Sequence, residues 1–146
     1  MTCCKWLAVI ASVCLSAAGS AGGKRDQTFV VIVHPSNRFA ALNRTKLNYL
    51  FLRKVSRWPW GAEVQPVDLE ARSPAGQWFI REVLHTTEEN LEAYWIDRRF
   101  TQGINPPLRI NNSTAVKAFV ASHAGAVSYI PQADLDATVK AMRIDP

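Results

Sequence analysis

The chain has 146 residues, a formal net charge of +5 and three cysteines. This length fits one domain of ordinary size. The small basic excess is too diffuse for nucleic-acid recognition, which usually shows a basic stripe on one face. All three cysteines lie at or before Cys14, so the rest of the chain has no thiol for a disulfide or for a zinc site. We therefore expect no nucleic-acid partner, no metal ion and no cofactor.

The first 21 residues have the pattern of a cleavable signal peptide. Lys5 precedes an apolar run that ends at Ala18, and small residues follow up to Ala21. The run is shorter than the about 20 residues that a membrane span needs. We expect cleavage after Ala21, although cleavage after Ala18 would satisfy the same rule. The product is then one periplasmic or secreted domain over residues 22–146, with no membrane span after removal of the signal.

The first half of this domain predicts alternating strands and helices. Apolar patterns place a strand over residues 28–33, a helix over residues 43–54 and a second strand over residues 63–69. Ser73 and Pro74 mark a helix start, with a capping hydroxyl and a proline at the first helical position. This helix is expected to end near Leu84.

The second half continues the alternation. Thr86 and Glu89 form a capping box that opens a third helix, whose apolar stripe comprises Leu91, Tyr94, Trp95 and Phe100. An irregular stretch covers residues 101–112. Ser113 is predicted to cap a fourth helix, and Gly125 to end it in the left-handed conformation. Strands are predicted over residues 126–130 and 138–144, with a short helix as the alternative for the last.

This alternation predicts an α/β lobe with a mostly parallel sheet covered on both faces. We expect four or five strands, in line with the usual sheet size. The positions predicted to be buried are Val31, Val33, Leu47, Phe51, Val67, Phe79, Leu91, Trp95, Val120 and Ile130.

The sequence shows no catalytic constellation. His34, His85 and His123 do not stand at metal-ligand spacing, and there is no nucleophile turn, phosphate loop or dinucleotide fingerprint. We therefore expect no enzymatic activity. The basic segment 53–58 interleaves charge with Trp58. It is interpreted as the end of a helix, where basic residues are favoured by the dipole, with contact to an anionic surface as the alternative.

The strongest candidate binding site is the helix start at Ser73. Helix N-termini attract anions through free N–H groups and the dipole, and Arg72 adds a charge-assisted donor. Ala75 and Gly76 would contribute backbone N–H groups. Ser36 and Asn37 follow the first strand and are expected to help, because ligands dock beyond the carboxyl ends of strands in open α/β sheets.

The predicted domain over residues 22–146 resembles the phosphate-binding proteins of ABC transporters, which are type II periplasmic substrate-binding proteins. The resemblance is carried by an ordered set of segments along nearly the whole domain. The segments that carry the resemblance are residues 31–37, 50–54, 57–59, 64–74, 93–95, 100–101, 106–107 and 125–130, together with Gly61 and Phe79. Full-length members are two-lobed clamshells, and this chain is similar to the second lobe alone. The resemblance implies a single α/β lobe of that fold, with a mostly parallel central sheet and helices on both faces.

The resemblance also implies a ligand site, with one departure. Members carry an arginine followed by a Ser-Gly-Thr turn at the helix start. Here Ser73 matches the serine, Pro74 and Ala75 replace the other two residues, and Asp68 stands about where the arginine belongs. Asp68 could accept from a protonated phosphate oxygen, and Arg72 could substitute for the arginine.

These observations together imply an exported solute-binding-like protein that binds phosphate or another small oxyanion weakly. The alternative is an envelope accessory domain that keeps the fold without ligand binding. An envelope protein or a second copy of the chain is the expected macromolecular partner.

Overall fold

Six strands and four helices make up residues 28–146, the part of the chain that the computed structural model describes. The predicted signal peptide lies outside the described residues. The strands are β1 (Phe29–Val33), β2 (Ala41–Asn43), β3 (Gln65–Leu69), β4 (Leu108–Ile110), β5 (Ala126–Pro131) and β6 (Lys140–Asp145). The helices are α1 (Arg44–Phe51), α2 (Pro74–Glu82), α3 (Glu88–Gln102) and α4 (Ser113–Ser122), and a 3-10 turn covers Gln132–Asp134.

The six strands form one sheet in the order β2-β6-β1-β5-β3-β4. β1 is antiparallel to both of its neighbours, β5 and β6. The remaining pairs, β2 with β6, β3 with β5 and β3 with β4, are parallel. Five strands therefore point the same way and β1 points the other way, so the sheet is mostly parallel, as expected, with one strand more than the upper estimate.

Connection handedness explains how both faces are covered. The chain moves from β2 to β3 and from β3 to β4 in one direction along the sheet, and returns from β4 to β5 in the other. Right-handed crossovers then place α1, α2 and α3 on one face and α4 on the opposite face. The ring contacts agree: Phe51 of α1 and Phe79 of α2 both lie against Tyr129 of β5, with centroid separations of 6.0 and 4.1 Å.

Because helices pack on both faces of the sheet, its central strands form the core. Val31, Ile32 and Val33 are completely buried, as a strand covered on both faces requires. All ten positions predicted to be buried are in the core. Phe100, which the sequence placed on the apolar stripe of its helix, is instead 85% exposed. It lies in the last turns of α3, where the helix extends past the sheet-covering positions Leu91 and Trp95.

Several helix ends differ from the expected ones by one residue. The side chain of Thr87, not Thr86, caps α3 and accepts from the Asn90 N–H at 3.2 Å. Asn112 caps α4 in place of Ser113, accepting from the Ala115 N–H at 2.8 Å. In each pair both residues have capping side chains, so the position at which the helix packs on the sheet selects between them.

Two further expectations were wrong. Gly125 does not end α4 in the left-handed conformation; the glycine that ends a helix in this way is Gly103, with φ 66°, after α3. The stretch over residues 101–112 contains β4, whose three residues pair with β3 at the sheet edge. An edge strand this short, beside Pro106 and Pro107, has too little alternation to be recognised from the sequence.

Candidate anion-binding site

The start of α2 has the predicted conformation, but its hydrogen-bonding groups are largely engaged. The Ser73 hydroxyl accepts from the Gly76 N–H at 3.0 Å and donates to the Glu70 carbonyl at 2.6 Å. Pro74 has no N–H to offer. Among the first helical residues, the N–H of Ala75 is the one with no acceptor within the described chain. The helix start therefore retains a single donor for an anion.

Gly76 has a packing role that the sequence did not reveal. A Cβ at this position would lie 2.3 Å from the Glu70 carbonyl oxygen and 2.9 Å from that of Ala71. Glycine is therefore needed where the β3–α2 turn folds back on the helix. Ala75 and Gly76 are both buried, so side-chain contact with a ligand is limited at these positions.

The structure does not bring Ser36 and Asn37 together with Ser73. They follow β1, and β1 runs opposite to β3 and β5, so the carboxyl end of β1 lies at the opposite end of the strands. Each has a local contact there, although Nδ2 of Asn37 is buried without a hydrogen-bond partner in the described chain. The Ser36 hydroxyl lies 2.7 Å from Nδ1 of His34, and Asn37 is buried, with Oδ1 accepting from the Phe39 N–H.

Asp68 lies in a row of polar side chains across three neighbouring strands, between Tyr129 and Arg109. Its carboxylate accepts a hydrogen bond from the Tyr129 hydroxyl, which in turn accepts from the Leu69 N–H at 3.2 Å. Burial raises the pKa of Asp68 above its ordinary value, against the opposing effects of the Tyr129 hydrogen bond and the Arg109 charge. Burial also raises the pKa of Tyr129. The predicted ligand group Asp68 is thus bonded inside the fold.

An open cavity of about 400 Å³ lies beside this row, between α3, β4 and the β3–α2 turn. We call it the arginine cavity, because Arg72, Arg99 and Arg109 all line it. None of the three forms an ion pair with a carboxylate in the described part of the chain, although Glu88 and Glu92 line the same cavity. Arginine is always charged and presents a planar set of donors that matches oxyanions.

Sequence reasoning found Arg72 and missed the other two arginines. Arg109 lies on β4, directly opposite Asp68 in the β3–β4 pairing, and this strand was not predicted. Arg99 lies on α3 and has no distinctive spacing from Arg72 or Arg109. The signal that could have found them is tertiary, because β3, β4 and α3 must be placed before the three arginines share a cavity.

Solved structures provide the comparison for this fold. An ABC-type phosphate transport receptor from Vibrio cholerae aligns with a TM-score of 0.61 and 18% identity, covering 80% of this chain and 45% of that chain. A protein from Clostridium perfringens, assigned as a phosphate ABC transporter substrate-binding protein and solved with bound phosphate, aligns with a TM-score of 0.63 and 20% identity. The coverage is 80% of this chain and 44% of that one. The fold is that of one lobe of a substrate-binding protein.

This lobe spans less than half the length of the binding proteins it matches. The PstS protein of Borrelia burgdorferi shows the same relation, with a TM-score of 0.61 at 8% identity over 47% of its length. No protein-family model matches the sequence, and no curated protein matches it. The likeness therefore concerns the fold.

Across residues 28–146, no group of three or more His, Cys, Asp or Glu side chains is placed to hold a metal ion. Among the helices of this same region, none is both long and apolar enough to cross a membrane.

Proposed function

We propose that this protein is an exported solute-binding protein that holds a small oxyanion of the phosphate class in the arginine cavity. One observation carries the proposal: three arginines without a carboxylate partner in the described chain line one cavity. The fold shared with phosphate transport receptors supports it. The signal-like pattern of residues 1–21 supports export. The proposed role is binding, because the charged, planar donors of the arginines match an oxyanion.

The expected ligand contacts differ in strength. Arg72, Arg99 and Arg109 would supply charge-assisted hydrogen bonds, whereas Ala75 is buried and is not among the residues that line the cavity. The Ser73 hydroxyl contributes indirectly by holding the turn, since it is already bonded twice. An ionised Asp68 would weaken the attraction between Arg109 and an anionic ligand, because its negative charge lies near Arg109.

The affinity should be low. The cavity is open to solvent, and one ion contact in water is worth about 1 kcal/mol. Three such contacts give about −3 kcal/mol, which corresponds to a dissociation constant in the millimolar range. A second copy of the chain, or an envelope protein, would tighten binding by closing the open side.

Titration calorimetry with phosphate on a verified monomer tests the site. We expect a millimolar constant for the unaltered protein and about fivefold weaker binding for Arg72→Gln, which loses about 1 kcal/mol of ion contact. Arg81→Gln is the matched control. Arg81 is an exposed arginine on α2 that pairs with Glu82 outside the cavity, so its loss should leave binding unchanged.

Two outcomes would contradict the proposal. A micromolar constant for the monomer would show an enclosed site rather than an open cavity. Equal weakening by Arg72→Gln and Arg81→Gln would show a general charge effect rather than a site. Ser73→Ala should lower stability by about 1 kcal/mol through loss of the cap while leaving phosphate binding measurable.

One observation favours a second function, that of an envelope accessory domain. Ile96 and Phe100 lie one helical turn apart on α3 and are 51% and 85% exposed. Exposed apolar groups that lie together are typical of protein interaction surfaces. A melting temperature that is insensitive to phosphate at a hundred times the expected millimolar constant, together with self-association that Phe100→Ser abolishes, would favour this function. Ligand at a hundred times its dissociation constant would otherwise add about 2.7 kcal/mol of stability.

A further inference from the structure

A second pocket shares no lining residue with the arginine cavity. It has a volume of about 240 Å³ and lies between α1 and the loop that follows it. We call it the aromatic pocket and define it by Leu42, Lys46, Tyr49, Leu50, Arg57 and Trp58. Its position is fixed by Trp58, whose indole N–H donates to the Gly125 carbonyl at the amino end of β5, at 3.0 Å.

The floor and walls of the aromatic pocket are apolar. Leu42, Leu50 and Trp58 are buried core residues. Phe39 also lines the pocket and lies in a ring cluster with Trp58 and Trp60, in which the two indoles stack at 5.0 Å. These rings are held by several contacts, so the pocket is preformed rather than dependent on one flexible side chain.

The charged groups at the aromatic pocket are all basic. Lys46 and Arg57 line it, and the Lys54 ammonium lies 5.1 Å from the centroid of the Tyr49 ring. None of the described residues that line the pocket is acidic. Arg57 uses one N–H to bond the Gly61 carbonyl at 3.0 Å, and its remaining donors are available. Lys46 has no side-chain partner within the described chain.

The aromatic pocket is also bordered by large hydrophobic side chains that are exposed to solvent. Tyr49 is 43% exposed and Val55 is 39% exposed, although both border the aromatic pocket. Binding pockets for small molecules are mostly apolar, with a small number of polar groups that orient the ligand. The aromatic pocket has this composition, with positive charge as its polar component.

We propose that the aromatic pocket binds a small amphiphilic anion, an aliphatic or aromatic carboxylate whose apolar body lies on Leu50 and Trp58 and whose carboxylate meets Lys46 and Arg57. The basic side chains favour a ligand with an anionic group, and the apolar floor favours a ligand with an apolar body. The volume of about 240 Å³ restricts the ligand to a small molecule. The basic segment 53–58, predicted from the sequence as the end of a helix, lies instead in the loop after α1 and contributes Val55, Arg57 and Trp58 to the lining of this pocket.

Titration calorimetry with octanoate tests this site, with octanol and acetate as matched probes. Octanol keeps the apolar body without the charge, and acetate keeps the charge without the body. We expect octanoate to bind at least tenfold more tightly than either. Lys46→Gln should weaken octanoate binding about fivefold, as loss of one ion contact predicts, and leave octanol unchanged. Tyr49→Ala should weaken the binding of both octanoate and octanol, because it removes part of the apolar wall of the pocket.

Arg81→Gln again serves as the charge-matched control and should leave octanoate binding unchanged. Phosphate at its own site should not compete, because the two sites share no lining residue. Equal binding of octanoate and octanol would overturn the proposed anion site. Retention on phosphatidylglycerol vesicles without octanoate binding would overturn it in favour of a membrane surface, and the absence of binding by all three probes would also overturn it.

Discussion

At the scale of single residues, Asp68 links the candidate site to the stability of the fold. Its pKa is raised by burial above 3.8, while the unfolded chain has no such shift. The folded protein therefore holds this proton more tightly than the unfolded chain does. The stabilisation is fully present below about pH 3.8 and is lost as pH rises through the folded pKa.

Asp68→Asn should remove this loss of stability. The amide keeps the size of the side chain and is neutral at every pH, so the fall in the free energy of unfolding above pH 4 should become shallower. Urea unfolding between pH 4 and pH 7 measures it. Asp136→Asn is the control: Lys117 and Thr138 lower the pKa of Asp136 to about 2, so its contribution changes only at acid pH. An unaltered pH profile in Asp68→Asn would contradict the prediction.

At the scale of elements, Gly125 determines how the loop before β3 packs at the start of β5. A Cβ at Gly125 would lie 1.7 Å from the Glu63 carbonyl oxygen, and the Gly125 carbonyl accepts from both the Gln65 N–H and the Trp58 indole. Gly125→Ala should therefore separate these segments and lower the free energy of unfolding by about 3 kcal/mol, the upper range for overpacking. Thermal and urea unfolding measure this loss.

The matched variant is Gly103→Ala at the end of α3. Gly103 has φ 66°, but a Cβ added there would meet no other atom within 4 Å, so alanine costs the backbone strain alone, about 1 kcal/mol. A Gly125→Ala variant no less stable than Gly103→Ala would show that the loop can move aside.

At the scale of the whole molecule, export is the prediction to test first. Lys5, the apolar run and the small residues up to Ala21 predict removal of the signal. Mass spectrometry of the exported protein should show a start near Gly22, because signal peptidase cuts after small residues. Replacing Ala21 with a bulky residue, together with Ala18, should block this cleavage. An intact, membrane-embedded chain from Met1 as the only species would contradict the prediction.

The sequence by itself determined most elements, because their signals are local. Ser73 with Pro74 is a complete helix start within two residues, and the structure confirms Ser73 as the cap of α2. The sequence predicted the strand β1 equally well from its run of β-branched residues. It also predicted the buried positions Val67 and Phe79. Cap positions were less certain, since neighbouring Thr86 and Thr87 have the same hydroxyl and only packing selects Thr87.

The tertiary structure alone decided which residues share a site. The reversed direction of β1 separates Ser36 and Asn37 from Ser73, and strand direction is set by pairing between distant segments. The unpredicted edge strand β4 brings Arg109 opposite Asp68, and α3 adds Arg99 to the same cavity. Local sequence signals act over one or two helical turns, whereas these contacts join segments that lie far apart along the chain, so their physical cause is the packing of the whole sheet.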